Sequence, residues 1–164
     1  MPKNKRQWGL LVFFILLSQA AGLLGTFFTI DAIPTWYATL QKPSFSPPNS
    51  VFGPMWTLLY TLMGIALYIV WQKRGVSPEK AKARSRGIRV FFLQLVINAS
   101  WSVVFFGMQN IGAALVVIIA LLVLIVSTMR HFFKVSALAG WLLVPYLAWV
   151  SFATALNAYI YLLN

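Results

Sequence analysis

Five apolar stretches separated by short polar segments constrain this chain more than any other feature of its sequence. They lie at about 8–30, 51–71, 88–107, 111–129 and 136–163. Each is close to or above the roughly 20 residues that an α-helix needs to cross a bilayer. The pattern predicts an all-α membrane protein, a bundle of five transmembrane helices forming one domain over residues 1–164, because the connecting segments are too short to hold a soluble domain.

Composition favours lipid as the solvent of this chain. Of its 164 residues, 60% are hydrophobic and 9% are charged, whereas soluble domains are close to half apolar and a quarter charged. The surplus of apolar side chains cannot all fit in one small aqueous core. Because the chain has no cysteine and a single histidine, His131, thiolate chemistry and multi-histidine metal sites are excluded, and neither a metal site nor a covalent cofactor is expected.

The basic residues set the predicted orientation of the bundle. Twelve of the thirteen lie before the first span, between the second and third, or between the fourth and fifth, and Lys42 alone lies on the other side. The positive-inside rule therefore predicts a cytoplasmic N-terminus and a C-terminus outside. A net charge of +11 distributed in this way indicates topology and membrane lipid as a partner, not nucleic acid. A cleaved signal peptide ending near Ala20 is the alternative for the N-terminus, although the apolar run continues past that residue.

The segment 31–50 is expected to be an ordered external loop over the mouth of the bundle. Its four prolines exclude a long regular helix, and aromatic residues such as Trp36 and Tyr37 make it amphipathic. An interfacial aromatic belt without a ligand role is the competing interpretation. On the opposite side, the segment 73–87 is interpreted as a solvated loop in which Pro78 could begin a short helix.

Polar side chains inside the spans indicate helix–helix contacts, because a buried amide in hydrocarbon needs a partner. Gln19, Asn98 and Asn157 are expected to point inward, and the favoured interpretation of Gln19 and Gln94 is hydrogen bonding between helices. The fourth span is apolar all round and is expected to face lipid broadly. Three tryptophans near the basic end are interpreted as membrane-interface anchors, namely Trp8, Trp71 and Trp141.

Three other tryptophans define a candidate ligand site. Counting 1.5 Å per residue from the span ends places Trp56, Trp101 and Trp149 at similar depths in the outer half of the bundle, beneath the segment 31–50. Indole walls with an amide, Asn98, at their edge suit a flat, aromatic and largely apolar ligand. Since a single tryptophan in a membrane helix is more often a packing residue, the site depends on these three meeting.

Four spaced motifs carry a resemblance to one known family across nearly the whole chain. They are WYxxLxKPxFxPP from Trp36, WxxLYxxMGxA from Trp56, NxxWSxxFF from Asn98 and PYLAWxxFATxLN from Pro145. In order and spacing the chain resembles the translocator protein family, also called tryptophan-rich sensory proteins or peripheral-type benzodiazepine receptors. The short tail and basic loop suit a bacterial member in a bacterial cell membrane.

The resemblance implies a five-helix bundle, commonly a homodimer, that binds hydrophobic small molecules in an outer cavity under the first loop. The implied ligands are porphyrins such as protoporphyrin IX, haem-related tetrapyrroles, sterols and benzodiazepine-type drugs. Carried over by position, the implied ligand contacts are Tyr37, Trp56, Asn98, Trp101, Tyr146, Trp149 and Ala153. Trp36 above the site and Lys42, the one cation on that side, complete the candidates. The base that closes the C-terminal sterol motif of animal members is missing after Tyr161, which argues against sterol binding.

Three functions stay open from the sequence. A receptor or sensor for tetrapyrroles needs only a shaped apolar cavity, and it is the function we favour. A light-dependent porphyrin-degrading enzyme, which the resemblance also implies, would use Trp56 and Trp149, since Asp31 and Glu79 are predicted on opposite sides of the membrane and cannot pair as acid and base. A tetrapyrrole or sterol transporter is the third, although no ionisable residue lies in the middle of a span to couple it to ions. His131, at the basic rim, is not expected to coordinate haem.

Overall fold

A computed structural model of the protein describes residues 4–74 and 77–164. Within these ranges the chain is helical and has no β-strand, and five of its helices are long and apolar enough to cross a membrane. The predicted all-α class and the predicted number of spans are therefore confirmed. The cytoplasmic position of the N-terminus stays a prediction from the charge distribution.

The helices follow one another in a simple order along the chain. They are α1 Lys5–Thr29, α2 Trp36–Thr39, α3 Asn49–Gln72, α4 Pro78–Ser102, α5 Ile111–Val135, α6 Ala137–Trp141 and α7 Val144–Leu163. A π-helical turn, Val103–Gly107, continues α4. The five spans are α1, α3, α4 with its π-helical turn, α5, and the pair α6–α7.

The third span begins at Pro78, because residues that the sequence suggested were part of a loop belong to the same long helix. The segment 73–87 is therefore helical, not a loop, from residue 78 onward, and the helix begins at the Pro78 that the sequence suggested for a short helix; residues 75–76 of the segment lie outside the described residues. Proline is favoured in a first helical turn, and Ala83 and Gly87, one turn apart, are buried. At Gly87 an added Cβ would lie 3.0 Å from the Cβ of His131, so the small residues let this end of α4 pack closely on α5.

The fifth span consists of two helices, because the chain leaves α6 after Trp141 and enters α7 at Val144. Pro145 explains the break, since it has no N–H to continue the hydrogen bonds of a preceding helix but fits the first turn of a new one. The apolar span predicted over 136–163 is present as Ala137–Leu163 and is built from these two helices. The new helix begins with Tyr146 fully buried.

Helices α1 and α3 cross at Gly64, where an added Cβ would lie 2.6 Å from the Cα of Ile15. A small residue lets two backbones approach in this way inside a membrane. One turn further along α1, Gln19 Nε2 donates to the carbonyl oxygen of Thr57 at 2.9 Å and to Thr61 Oγ1 at 3.1 Å. The predicted hydrogen bonding of Gln19 between helices is confirmed.

Gln94 behaves differently from Gln19. Its side chain is fully buried, yet neither Oε1 nor Nε2 has a hydrogen-bond partner among the described residues. The interpretation of Gln94 as a bond between helices is therefore wrong. A buried polar group without a partner costs about 1–3 kcal/mol, so Gln94 is expected to destabilise the bundle.

Two further expectations about lipid contact are only partly met. The fourth span, α5, buries one complete face against its neighbours and leaves the other exposed, so it does not face lipid on all sides. Trp8 and Trp141 are strongly exposed, as interface anchors should be. Trp71 instead packs inward, with its ring centroid 5.4 Å from that of Phe14.

Candidate functional site

A cavity of about 400 Å³ lies at the end of the bundle next to the segment 31–50. Its walls come from α1, α3, α4 with its π-helical turn and α7, and residues of the segment 31–50 close it. The volume falls in the range of roughly 300–1,000 Å³ that small-molecule sites occupy. The cavity is therefore large enough to enclose much of a drug-sized ligand.

Three of the seven tryptophans line this cavity, and each comes from a different helix: Trp56 from α3, Trp101 from α4 and Trp149 from α7. The structure thus brings together the residues that the sequence placed at similar depths. Neighbouring rings hold them in place, because Trp56 stacks on Tyr60 at a centroid distance of 5.4 Å and Trp101 stacks on Phe105 at 5.1 Å. The indoles form fixed walls of the cavity.

A polar network links three helices beside the indoles. The Tyr60 hydroxyl donates to Asn98 Oδ1, and Asn98 Nδ2 donates to the hydroxyl oxygen of Tyr146 at 2.9 Å. Asn98 lines the cavity, as proposed from its position in the sequence. Tyr146 is fully buried and lies one layer behind the lining, where its ring meets that of Trp56 at 6.3 Å. Its role in this geometry is to support Asn98 and Trp56.

Asn157 also lines the cavity, although it is not among the ligand contacts predicted from the sequence. Its Oδ1 accepts a hydrogen bond from Trp101 Nε1 at 3.1 Å, and its Nδ2 donates to the carbonyl oxygen of Ile111 at 3.0 Å. The expected inward direction of Asn157 is confirmed. Its place on the cavity could have been found from helical spacing, because Trp149, Ala153 and Asn157 are four residues apart and share one face of α7.

Trp149 differs from Trp101 in its hydrogen bonding. Its Nε1 is buried and has no partner among the described residues. A buried donor without a partner is costly, and an acceptor on a bound ligand would remove that cost. Ala153, one turn further along α7, also lines the cavity and adds a small apolar surface next to this indole.

The π-helical turn shapes the wall beside Trp101. Ser102, Phe105 and Phe106 line the cavity together with Trp101. A regular α-helix would turn the adjacent residues Phe105 and Phe106 by 100° relative to each other, and the wider π-helical turn changes that spacing. Turns of this kind are rare and occur frequently at functional sites. Hydropathy gave no signal for this turn.

The segment 31–50 covers the cavity with the ring of Tyr37, which is almost fully buried. The ring meets Phe105 at 6.1 Å and Phe106 at 5.7 Å. Burial raises the pKa of Tyr37, and a hydrogen bond with the side chain of Ser46 opposes part of that increase. The phenol is therefore neutral at physiological pH and contributes no charge to the cavity.

The other two candidates in this segment lie outside the lining. Trp36 packs edge-on against Phe105 at 5.5 Å. Lys42 Nζ donates to the carbonyl oxygens of Tyr37 at 2.7 Å and Leu40 at 3.1 Å, and lies 4.7 Å from the centre of the Tyr37 ring. The Lys42 ammonium therefore stabilises the fold of the segment and does not line the cavity.

The segment 31–50 is also fixed to the end of α7. The backbone N–H of Gln41 donates to Asn164 Oδ1, and Asn164 Nδ2 donates to the carbonyl oxygen of Gln41, both at 3.0 Å. The ring of Phe45 packs edge-on against Tyr159 at 5.3 Å. These contacts attach the segment 31–50, which covers the cavity, to the end of α7. The residues that make them do not line the cavity.

The cavity is open on the side of α1. Leu23 and Ile30 contribute to its lining, although their side chains are 70% and 64% exposed. In a bundle that crosses a membrane, an apolar surface exposed at this level of a spanning helix faces lipid. A ligand dissolved in the membrane would therefore meet the cavity from the side.

Comparison with known proteins gives a consistent result over nearly the whole chain. The sequence pattern of the TspO/MBR family matches residues 14–163. The tryptophan-rich protein TspO of Archaeoglobus fulgidus is 49% identical over 154 residues, which cover 94% of this chain and 96% of that protein. The translocator protein of Homo sapiens is 39% identical, with 88% and 83% covered, and the tryptophan-rich sensory protein of Cereibacter sphaeroides is 35% identical, with 92% and 88% covered. These relatives come from very different organisms, so the bacterial origin stays a prediction.

Proposed function

Because this chain belongs to the TspO/MBR family of membrane proteins, we propose that its cavity binds porphyrins and related flat, aromatic ligands as a membrane receptor or sensor. The observation that carries the proposal is the meeting of Trp56, Trp101 and Trp149 on one cavity. Aromatic rings interact favourably with the face or edge of another π-system. Three indoles held at fixed angles therefore suit a rigid, planar ligand.

The opening beside α1 matters for a ligand as wide as a porphyrin. A cavity of about 400 Å³ is at the lower end of the usual range for ligand sites, so part of a tetrapyrrole ring is expected to extend past Leu23 and Ile30. Both residues are apolar and exposed. The protruding part of the ring would then contact apolar side chains and lipid, which suits its own apolar surface.

The ring is expected to supply more of the affinity than the carboxylates of the ligand. Lys42 donates to two backbone carbonyl oxygens and is absent from the lining, so no carboxylate partner is expected from it. The unpaired Nε1 of Trp149 can donate to a pyrrole nitrogen or to a carbonyl oxygen. We therefore expect protoporphyrin IX and its dimethyl ester to bind with affinities that differ only by a few-fold.

Tryptophan fluorescence quenching tests this function directly. Protoporphyrin IX is titrated into the purified protein, into Trp149→Phe and into a matched control, Trp141→Phe, whose indole is exposed at the other end of the bundle. We expect saturable quenching of the wild type and of the control, and clearly weaker binding by Trp149→Phe. Absence of saturation in the wild type, or the same loss in both variants, would contradict the proposal.

Light-dependent breakdown of the bound porphyrin is the second candidate function. It is favoured by the presence of both Trp56 and Trp149 on the cavity and by the stacking of Trp56 on Tyr60. The stacking places a phenol, which can donate an electron, beside an indole that the light-excited porphyrin would oxidise. Illumination of the complex separates the two functions. Turnover that is lost in Trp149→Phe at porphyrin concentrations high enough to saturate this weaker-binding variant supports an enzyme, whereas bleaching at the rate of the free porphyrin leaves binding alone.

A further inference from the structure

The face of α4 that points away from the bundle carries a regular stripe of exposed side chains. Its members are spaced alternately four and three residues apart, and we name them together the basic–apolar stripe: Lys82, Arg86, Arg89, Leu93 and Val96. At 3.6 residues per turn they fall within roughly 80° of one another around the helix. The opposite face holds the buried residues Ala83, Gly87 and Phe91. The stripe is therefore straight, and the rest of the bundle leaves it uncovered.

Arg84, in the same part of α4, differs from the basic residues of the stripe because its guanidinium bonds to the protein itself. Its Nε donates to the carbonyl oxygen of Val70 at 3.1 Å, and its Nη2 donates to that of Trp71 at 2.8 Å. Its guanidinium also lies 5.4 Å from the centre of the Trp71 ring. Arg84 therefore satisfies the last carbonyl groups of α3. The three cations of the stripe make no such contacts with the described residues and are exposed.

The charge of the stripe is largely uncompensated within the chain. The sequence holds two acidic residues in total, Asp31 and Glu79. Glu79 lies one helical turn before Lys82 and offsets part of its charge, whereas Asp31 lies at the end of α1 in the segment that covers the cavity. Arg86 and Arg89 therefore have no acidic partner among the described residues and are free to contact an anionic group outside the chain.

The position of the stripe relative to the membrane indicates which kind of molecule could contact both its basic half and its apolar half. Arg89 is the last charged residue before an uncharged run that covers the rest of α4 and continues to Met129, so the basic half of the stripe lies at the membrane surface and the apolar half lies among acyl chains. Leu93 and Val96 are 50% and 62% exposed. The three cations extend over about 10 Å of helix, comparable to the depth of the headgroup layer on one side of a bilayer, roughly 5–8 Å.

We propose that the basic–apolar stripe binds a phospholipid with an anionic headgroup. The headgroup phosphate contacts Arg86 and Arg89, with Lys82 at its outer edge, and one acyl chain lies along Leu93 and Val96. Basic clusters next to a transmembrane helix attract anionic lipids, and the apolar continuation on the same face adds the contact that a free phosphate lacks. A second copy of the chain is disfavoured on this face, because a twofold axis would bring cations against cations.

Native mass spectrometry measures this binding without any ligand in the cavity. The protein is released from micelles that contain equal amounts of phosphatidylglycerol and phosphatidylcholine, and the lipids that stay bound are counted. We expect a preference for phosphatidylglycerol of at least about fivefold, in line with the attraction of several basic residues. The triple variant K82Q/R86Q/R89Q is expected to lose the preference, and Glu79→Gln is expected to increase it.

A matched control removes the same number of charges from the same end of the bundle but away from the stripe. K73Q/R74Q/K80Q leaves the stripe intact, and all three of its positions are exposed. We expect it to keep the preference of the wild type. Equal loss in both triple variants would overturn the proposal in favour of net charge alone. Equal retention of the two lipids by the wild type would also overturn the proposal.

A shift from dimer to monomer in the stripe variant, without a change in lipid preference, would assign the face to a second copy. Since Glu79→Gln adds no strain to the fold, it tests the proposal even if the triple variant is unstable.

Discussion

Trp101 Nε1 donates to Asn157 Oδ1 at 3.1 Å and thereby joins α4 to α7 at the wall of the cavity. The same asparagine donates to the carbonyl oxygen of Ile111, the first residue of α5. The side-chain amide of Asn157 therefore connects α7 to α4 and α5, and it fixes the orientation of the Trp101 indole at the cavity wall. A ligand site in this position depends on a polar contact that the ligand itself need not touch.

Replacement of Asn157 tests this connection. Asn157→Leu removes both hydrogen bonds and leaves Trp101 Nε1 without a partner, whereas the carbonyl oxygen of Ile111 keeps the backbone hydrogen bond of its own helix. Hydrogen bonds between membrane helices contribute about 1–2 kcal/mol at most in typical cases, so we expect a loss of free energy of unfolding of that size and weaker porphyrin binding. Thermal unfolding in detergent and fluorescence titration measure the two effects. Ser151→Ala is the control on the same helix, because Ser151 Oγ donates only to its own helix, at the carbonyl oxygen of Leu147. An Asn157→Leu protein as stable as this control would contradict the assignment.

Gln94 and Gln19, two glutamines inside the bundle, predict opposite effects of one substitution. Gln94→Met is expected to stabilise the protein by about 1–2 kcal/mol, because it replaces a buried amide without partners by an apolar side chain of similar length. Gln19→Met is expected to destabilise it, since it removes the donor to Thr57 and Thr61. The melting temperatures of both variants in one detergent provide the measurement. A lower melting temperature for Gln94→Met would mean that its amide has a partner, such as an internal water molecule.

Much of the fold follows from the sequence because long apolar runs leave few alternatives in a membrane. The sequence suggested a short helix from Pro78 but missed its continuation into the third span, since hydropathy treats a segment rich in lysine and arginine as a loop. The signal that could have identified the helix is the pair Ala83 and Gly87, whose spacing of four residues gives a small face for packing on α5. Charge and helix are compatible here because Lys82, Arg86 and Arg89 are exposed, while Arg84 donates to the last carbonyl oxygens of α3.

The part of the candidate site that depends on regular helix geometry could be predicted from the sequence. Counting residues brought Trp56, Trp101 and Trp149 to one level, and the structure places all three on one cavity. The counting could not find the π-helical turn, because it assumes the regular geometry of an α-helix over the whole span. It also could not show that Lys42 donates to the carbonyl oxygens of its own segment, since a single cation in a loop has no periodicity.

Gly22 determines where the Tyr60 ring can lie. An added Cβ at position 22 would collide with that ring, and Tyr60 in turn stacks on Trp56 and donates to Asn98. Gly22→Ala is therefore expected to move the stacked pair and to weaken porphyrin binding several-fold, with an overpacking cost of about 1–3 kcal/mol. Gly9→Ala is the control in the same helix, because an added Cβ there meets no atom within 4 Å. If fluorescence titrations gave one affinity for both variants, the Tyr60 ring would not be part of the binding geometry.

Asn164 is expected to control how fast a ligand leaves. Asn164→Ala removes the two hydrogen bonds with Gln41 and loosens the segment 31–50 at the end of α7, while every residue of the cavity lining stays unchanged. Loss of about 1 kcal/mol from the closed cover corresponds to a roughly fivefold faster dissociation, and association should accelerate as well, so the equilibrium affinity changes little. Stopped-flow fluorescence with protoporphyrin IX measures both rates. Leu163→Ala, at the exposed neighbouring position, should leave both rates unchanged. A large drop in affinity with unchanged dissociation would instead mean that Asn164 stabilises the cavity, and that the cover does not limit exchange.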